Sequence, residues 1–105
     1  MYEFKAAFFR VLASPLRLLI LDTLRAGPMS VRDMRAKLGV EQASLSQNLA
    51  ILRAHNLVHT KRRGTVAVYE ISHSEIWTVL DSGRGLFESQ LGGLETALQA
   101  LRSEV

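Results

Sequence analysis

The sequence predicts a mainly α-helical domain carrying one small β-hairpin. Three observations support this. Apolar residues recur at helical spacing from Tyr2 to about His55. β-Branched and aromatic residues then fill two short runs, Leu57 to Arg62 and Thr65 to Ile71, on either side of Arg63-Gly64. Beyond Ser74 the helical spacing returns. A length of 105 residues suits a single domain over residues 1–105.

The first helix is expected over Tyr2 to Leu12, with Phe4, Phe8, Val11 and Leu12 on one face. Ser14 suits an N-cap, and Pro15 suits the first helical position, where its missing N–H costs nothing. The second helix runs from Pro15 to Ala26. Leu16, Leu18, Leu19, Ile20, Leu21 and Leu24 leave it little polar face, so it is expected to be the central buried helix. Gly27 fits a left-handed C′ residue, and Pro28 blocks continuation. Ser30 to Asp33 resembles a capping box with Asp in the place of Glu or Gln. It opens a short helix with Val31, Met34 and Leu38 on one face, ended by Gly39.

A further helix begins near Glu41 or Gln42 and runs to about His55, with Asn56 as a C′ residue. Leu45, Leu49 and Leu52 form its buried stripe. Gln42, Ala43, Ser46, Gln47, Ala50 and Arg53 lie opposite. In the hairpin, Ala67, Tyr69 and Ile71 share one face. Ser74 suits the N-cap of the last helix, where Phe87, Leu91, Leu94, Leu98 and Leu101 alternate spacings of four and three, a seam over two heptads. Gly83, Gly85, Gly92 and Gly93 each cost about 1 kcal/mol inside a helix. They leave open a kink near Ser82-Gly83 or a close helix approach at Gly92 and Gly93.

Charge is unevenly placed. The chain is +3 overall, but residues 1–73 carry +6, residues 74–105 carry −3, and the stretch 32–63 alone carries +5. A basic middle suggests a polyanionic partner. The chain has no cysteine, which excludes disulfides, thiolate metal sites and thiol redox sensing. No apolar run approaches the roughly 20 residues of a membrane span. Glu3 and Lys5 interrupt the N-terminal apolar stretch, unlike a signal peptide. The expectation is a cytoplasmic protein with no membrane partner.

The order of parts is a helix-turn-helix over residues 30–55, followed by a basic-tipped hairpin, or wing, over residues 57–71. In such a unit the second helix enters the major groove. Gln42, Ser44, Ser46 and Gln47 supply donors and acceptors for base edges and phosphates. Lys61, Arg62 and Arg63 supply cations for the DNA backbone. A polar helix face and a basic turn also occur as ordinary solvated surface. A winged helix can also serve as a protein-interaction adaptor without specific DNA binding. No Gly-rich phosphate loop, metal-ligand cluster or nucleophile turn is present, so no enzymatic activity is expected.

The stretch Phe9 to Ile71, about 60% of the chain, resembles the arsenic-repressor (ArsR/SmtB) family of winged helix-turn-helix proteins. Phe9 to Leu21 is similar to that family's ALADPTRLRIL opening, and Leu38 to Leu49 to its LGLSQSTVSRHL recognition helix. Ile51 to Val58 is similar to VLREAGLV, and Arg62 to Ile71 to the REGRWVYYRL wing.

The resemblance implies a homodimeric repressor on a pseudo-palindromic operator, dimerising through helices at about 1–13 and 74–105. Phe4, Phe8, Phe87, Leu91, Leu94, Leu98 and Leu101 are then the interface residues. Gln42, Ser44 and Ser46 match the family's DNA-contacting pattern, while Gln47 replaces Arg or His and Asn48 replaces His. The sensor side departs. The segment Val31-Arg32-Asp33-Met34 lacks the family's Cys-x-Cys pair. Positions of its Asp, His, His and Glu site hold His73, Glu75, Leu86 and Ser89, two of which cannot ligate. His55 and His59 lack partner spacing for a zinc site. No metal or cofactor is expected, and the effector is left open between an organic ligand, a metal site invisible in sequence, a protein partner and none.

Overall fold

Ser14 and Ser30 start two of the helices in the way their positions predict. The Ser14 hydroxyl accepts the Arg17 N–H at 3.3 Å, and the Ser30 hydroxyl accepts the Asp33 N–H at 3.1 Å. The structure is a computed structural model that describes residues 1–103. Helix α1 spans Tyr2–Leu12, α2 Pro15–Thr23, α3 Val31–Leu38, α4 Gln42–Ala54 and α5 Glu75–Ser103, with strands β1 Val58–Arg63 and β2 Val66–Ile71 between the last two. Residues 1–74 form one compact unit, and residues 75–103 form a second.

The core of the first unit is aliphatic. Ile20, Leu21, Met34, Leu45, Leu49 and Leu52 are completely buried, and Val11, Leu12, Leu24, Leu57, Val58 and Val68 nearly so. Asn56 takes a left-handed φ of 58°, which an Asn tolerates, and turns the chain out of α4 into β1. Gly39, at φ 64° and ψ 31°, makes the left-handed turn between α3 and α4.

Three expectations for the second helix need correction. It is α-helical only to Thr23 and tightens into a 3₁₀ turn over Leu24–Ala26. Gly27 does not take the left-handed C′ conformation: its φ of 120° and ψ of 178° send the chain off extended. This positive-φ, extended state is almost confined to glycine. Nor is α2 buried all round, since Leu18 and Leu19 are 36% and 45% exposed. Apolar composition alone does not bury every face of a helix.

The strands pair antiparallel from Val58 opposite Ile71 to Arg63 opposite Val66. The two-residue turn is therefore Gly64-Thr65, one position later than Arg63-Gly64, with Gly64 at φ 67°. Met29 adds a third partner. Its N–H donates to the Tyr69 carbonyl at 3.0 Å and its carbonyl accepts the Tyr69 N–H at 2.7 Å. β2 is thus flanked on both sides. The deeply buried residue of β2 is Val68, not one of the face formed by Ala67, Tyr69 and Ile71; Ala67 is exposed.

The second unit is α5, 29 residues of uninterrupted helix, so the chain is not broken near Ser82-Gly83. Gly85, Gly92 and Gly93 have no neighbouring atom within 4 Å of where a Cβ would sit.

Leu49→Ala is expected to lower stability by about 2–5 kcal/mol through lost burial and the cavity left behind. Urea unfolding followed by circular dichroism measures it. A loss well under about 1 kcal/mol would remove the leucine stripe from the core.

Candidate nucleic-acid interface

Burial of Leu45, Leu49 and Leu52 turns the opposite face of α4 to solvent. Gln42, Ser46 and Gln47 are exposed there, as the sequence predicts. Ser44 is half-buried, on the shoulder of the helix, and its carbonyl accepts the Asn48 side-chain amide at 2.8 Å. The Gln42 side-chain oxygen receives a long hydrogen bond of 3.4 Å from Arg35 of α3. Arg32, Arg35 and Gln42 line an open groove of about 800 Å³ beside the α3–α4 turn.

The wing cations do not form one cluster. Strand alternation puts Lys61 and Arg63 on one face of the ribbon and Arg62 on the other. Lys61 Nζ lies 2.9 Å from one Glu70 carboxylate oxygen, and His59 Nε2 lies 3.0 Å from the other. The His59 Nδ1 is 3.2 Å from the Ser72 hydroxyl. The hydrogen bond from Lys61, helped by His59, holds the Glu70 carboxyl below its ordinary value of 4.5. Lys61, expected as one of the wing's DNA-contacting cations, is thus paired within the wing. Arg62 braces the turn through a 3.4 Å bond to the Thr65 carbonyl. Arg63 lines a second open groove of about 670 Å³, which Arg32 and Asp33 of α3 line from the other element.

Three groups were not selected by sequence reasoning. Arg32 and Arg35 are exposed cations of α3 beside the α3–α4 turn, visible in sequence only as part of the basic stretch 32–63. Arg17, a lone cation in the apolar run of α2, reaches three partners. Its Nε donates to the Val11 carbonyl at 2.6 Å, one terminal nitrogen donates to the Arg10 carbonyl at 3.4 Å, and the other donates to the Asn48 side-chain oxygen at 3.0 Å.

The residues expected at a dimer interface are mostly open. Phe87, Leu91, Leu94, Leu98 and Leu101 of α5 are 43–61% exposed, with Leu86 alongside. On α1, Phe4 is exposed, but Phe8 is half-buried with its ring edge-on to Phe9, 5.4 Å between centroids. Phe9 and Tyr2, rather than Phe8, extend the exposed apolar surface of α1. Among the described residues, no three His, Asp or Glu side chains gather as a metal-holding group. None of their helices is long and apolar enough to cross a membrane.

A helix-turn-helix domain family matches residues 12–61. Over 104 residues the chain is 33% identical to the helix-turn-helix-type transcriptional regulator Rv0081 of Mycobacterium tuberculosis, covering 98% of this chain and 91% of that one. The crystal structure of Rv0081 superposes with a TM-score of 0.79 over 87% of this chain and 92% of that chain, at 34% identity. A biofilm growth-associated repressor of Agrobacterium fabrum is 32% identical over 82 residues, 78% of this chain and 70% of that protein. The homodimeric winged helix-turn-helix DNA-binding domain Mb0332 of Mycobacterium bovis, described as a possible ArsR-family transcriptional regulator, gives a TM-score of 0.75 at 27% identity, over 86% of this chain and 83% of that one. The chain belongs to the ArsR-type winged helix-turn-helix transcriptional regulators.

Because the Glu70 carboxyl is held low in the folded chain, its pairing supports the wing above the ordinary carboxyl range and is lost as pH falls through the lowered value. Carboxyl NMR titration should give Glu70 a midpoint below 4.5, moving back up in Lys61→Met. A midpoint indifferent to Lys61 would contradict the pairing.

Proposed function

We propose that the protein binds a pseudo-palindromic operator as a homodimer and represses transcription. The observation that carries this reading is the outward polar face of α4, accompanied by exposed cations on α3 and the wing. Gln42, Ser46 and Gln47 read base edges, and Ser44 lies at the shoulder. Arg62 and Arg63, with Arg32 and Arg35, hold the phosphate backbone. Lys61 contributes less than its charge suggests, because Glu70 neutralises it.

Dimerisation joins the exposed apolar surfaces of α1 (Phe4 with Tyr2 and Phe9) and the α5 seam from Phe87 to Leu101. Apolar stripes of this extent mark association surfaces. A two-fold dimer reads two half-sites about one helical turn, roughly 34 Å, apart. The repressor name of the Agrobacterium relative and the homodimeric state of Mb0332 support both halves of the reading. No thiol is present, so release from DNA does not proceed through a thiol-bound metal. A small-molecule effector is compatible with this scheme and would act by binding one dimer geometry better than another.

Fluorescence anisotropy on a fragment of the gene's own promoter tests the reading. The dimer should prefer that fragment over random DNA by about a thousandfold or more, and binding should weaken steeply with salt. Equal, weak binding to both fragments would overturn it. Arg62→Ala with Arg63→Ala should weaken binding to every sequence and flatten the salt slope. Glu70→Gln, by releasing Lys61, should steepen that slope by up to about 0.9; an unchanged slope would show that Lys61 stays away from phosphate.

A further inference from the structure

We propose that Arg17 is a positioning residue for DNA recognition, acting through Asn48, and that it is the route by which a displacement of α1 reaches the reading helix. The proposal rests on the operator-binding reading above. Arg17 belongs to α2, yet its donors serve two other helices. The Val11 and Arg10 carbonyls belong to the last turn of α1, where a cation is favoured; the Arg10 carbonyl also accepts the Ala13 N–H at 3.2 Å. The third bond crosses to α4, to Asn48. The Asn48 amide then donates to the Ser44 carbonyl one turn back.

A continuous chain of hydrogen bonds therefore runs from the end of α1, through Arg17 and Asn48, to Ser44 on the shoulder of the reading face. The Asn48 amide is engaged at both ends. Turned over, it would place its NH₂ against a guanidinium and its oxygen against a carbonyl, so its orientation is determined.

This network supplies what the leucine stripe cannot. Aliphatic packing holds α4 in place but tolerates small rotations with repacking. Hydrogen bonds are directional and weaken steeply when misaligned. Arg17 and Asn48 thus set the angle at which Gln42, Ser46 and Gln47 meet a base edge, although neither Arg17 nor Asn48 lies on the outward face. The bonds to α1 make that angle dependent on where α1 ends. The competing role for Arg17, a cap that merely stabilises α1, predicts no effect of Asn48 on DNA.

The test uses the full chain as wild type, Arg17→Lys, Asn48→Leu and the double variant, all of which keep the net charge. Anisotropy is read on the promoter fragment and on random DNA of equal length, well below each variant's unfolding midpoint. Each single change should lower promoter binding about tenfold, leave random-DNA binding within roughly twofold, and give a double variant no worse than the weaker single. A promoter preference left intact in folded Asn48→Leu, or losses that multiply in the double variant, would overturn the proposal while leaving the operator-binding reading standing. A wild type without promoter preference would overturn both.

If Asn48→Leu does not fold, Asn48→Ser takes its place in the same assay. The backbone amide shifts of residues 44–48 in Arg17→Lys give an independent readout: they should move, and unmoved shifts also count against the proposal.

Discussion

The constraint on which the rest depends is the complete burial of Leu45, Leu49 and Leu52. These residues recur every three or four positions, so they define one line along α4 and admit one way round for the helix. Once that line points inward, the identity of the outward residues follows from geometry alone. The same three side chains that close the hydrophobic core therefore decide which polar groups are offered to a ligand. Stability and recognition are not separable on this helix: a change that lets the stripe slip also changes what is presented.

Directional bonds refine what burial leaves coarse. Ser14 and Ser30 start α2 and α3 by accepting a first-turn N–H each, and Gly39 and Asn56 end α3 and α4 by taking left-handed backbone angles. Arg17 joins the end of α1 to α4. On the wing, Glu70 gathers Lys61 and His59 across the strands. Each bond is modest by itself, and their value lies in the angles they define.

Most of the helices were legible in the sequence because their ends are written locally. Ser14-Pro15, Ser30 to Asp33, Gly39 and Asn56 each carry their own backbone consequence, and α1, α3 and α4 fall where those residues place them. What was not legible depends on a partner distant in sequence. Leu18 and Leu19 read as core because apolar composition reports a need for burial, not the neighbour that meets it. The turn fell at Gly64-Thr65 because strand register, rather than the glycine alone, decides which pair is last. The pairing of Lys61 was not legible because its partner, Glu70, lies diagonally across on the next strand, nine positions away. Arg17 and Asn48 are 31 positions apart, and no periodicity in either helix announces their bond. Outward Gln42, Ser46 and Gln47 were legible for the converse reason: they are fixed by the apolar stripe of their own helix.

The paired bonds between Met29 and Tyr69 have a consequence for DNA shape. They tie the wing to the link between α2 and α3, the segment that leads directly into the helix-turn-helix. A hairpin attached only at its base could bend to follow a groove that is wide or narrow. One bonded also through Tyr69 of its second strand is restrained further out from its base, like the braced jaw of a caliper. On the proposed operator-binding reading, a duplex meeting such a wing adapts to the protein, and that deformation costs energy that differs between base sequences the protein never touches. Tracts whose grooves already have the matching width bind without that cost, so the stiffness of the wing itself becomes a source of sequence preference.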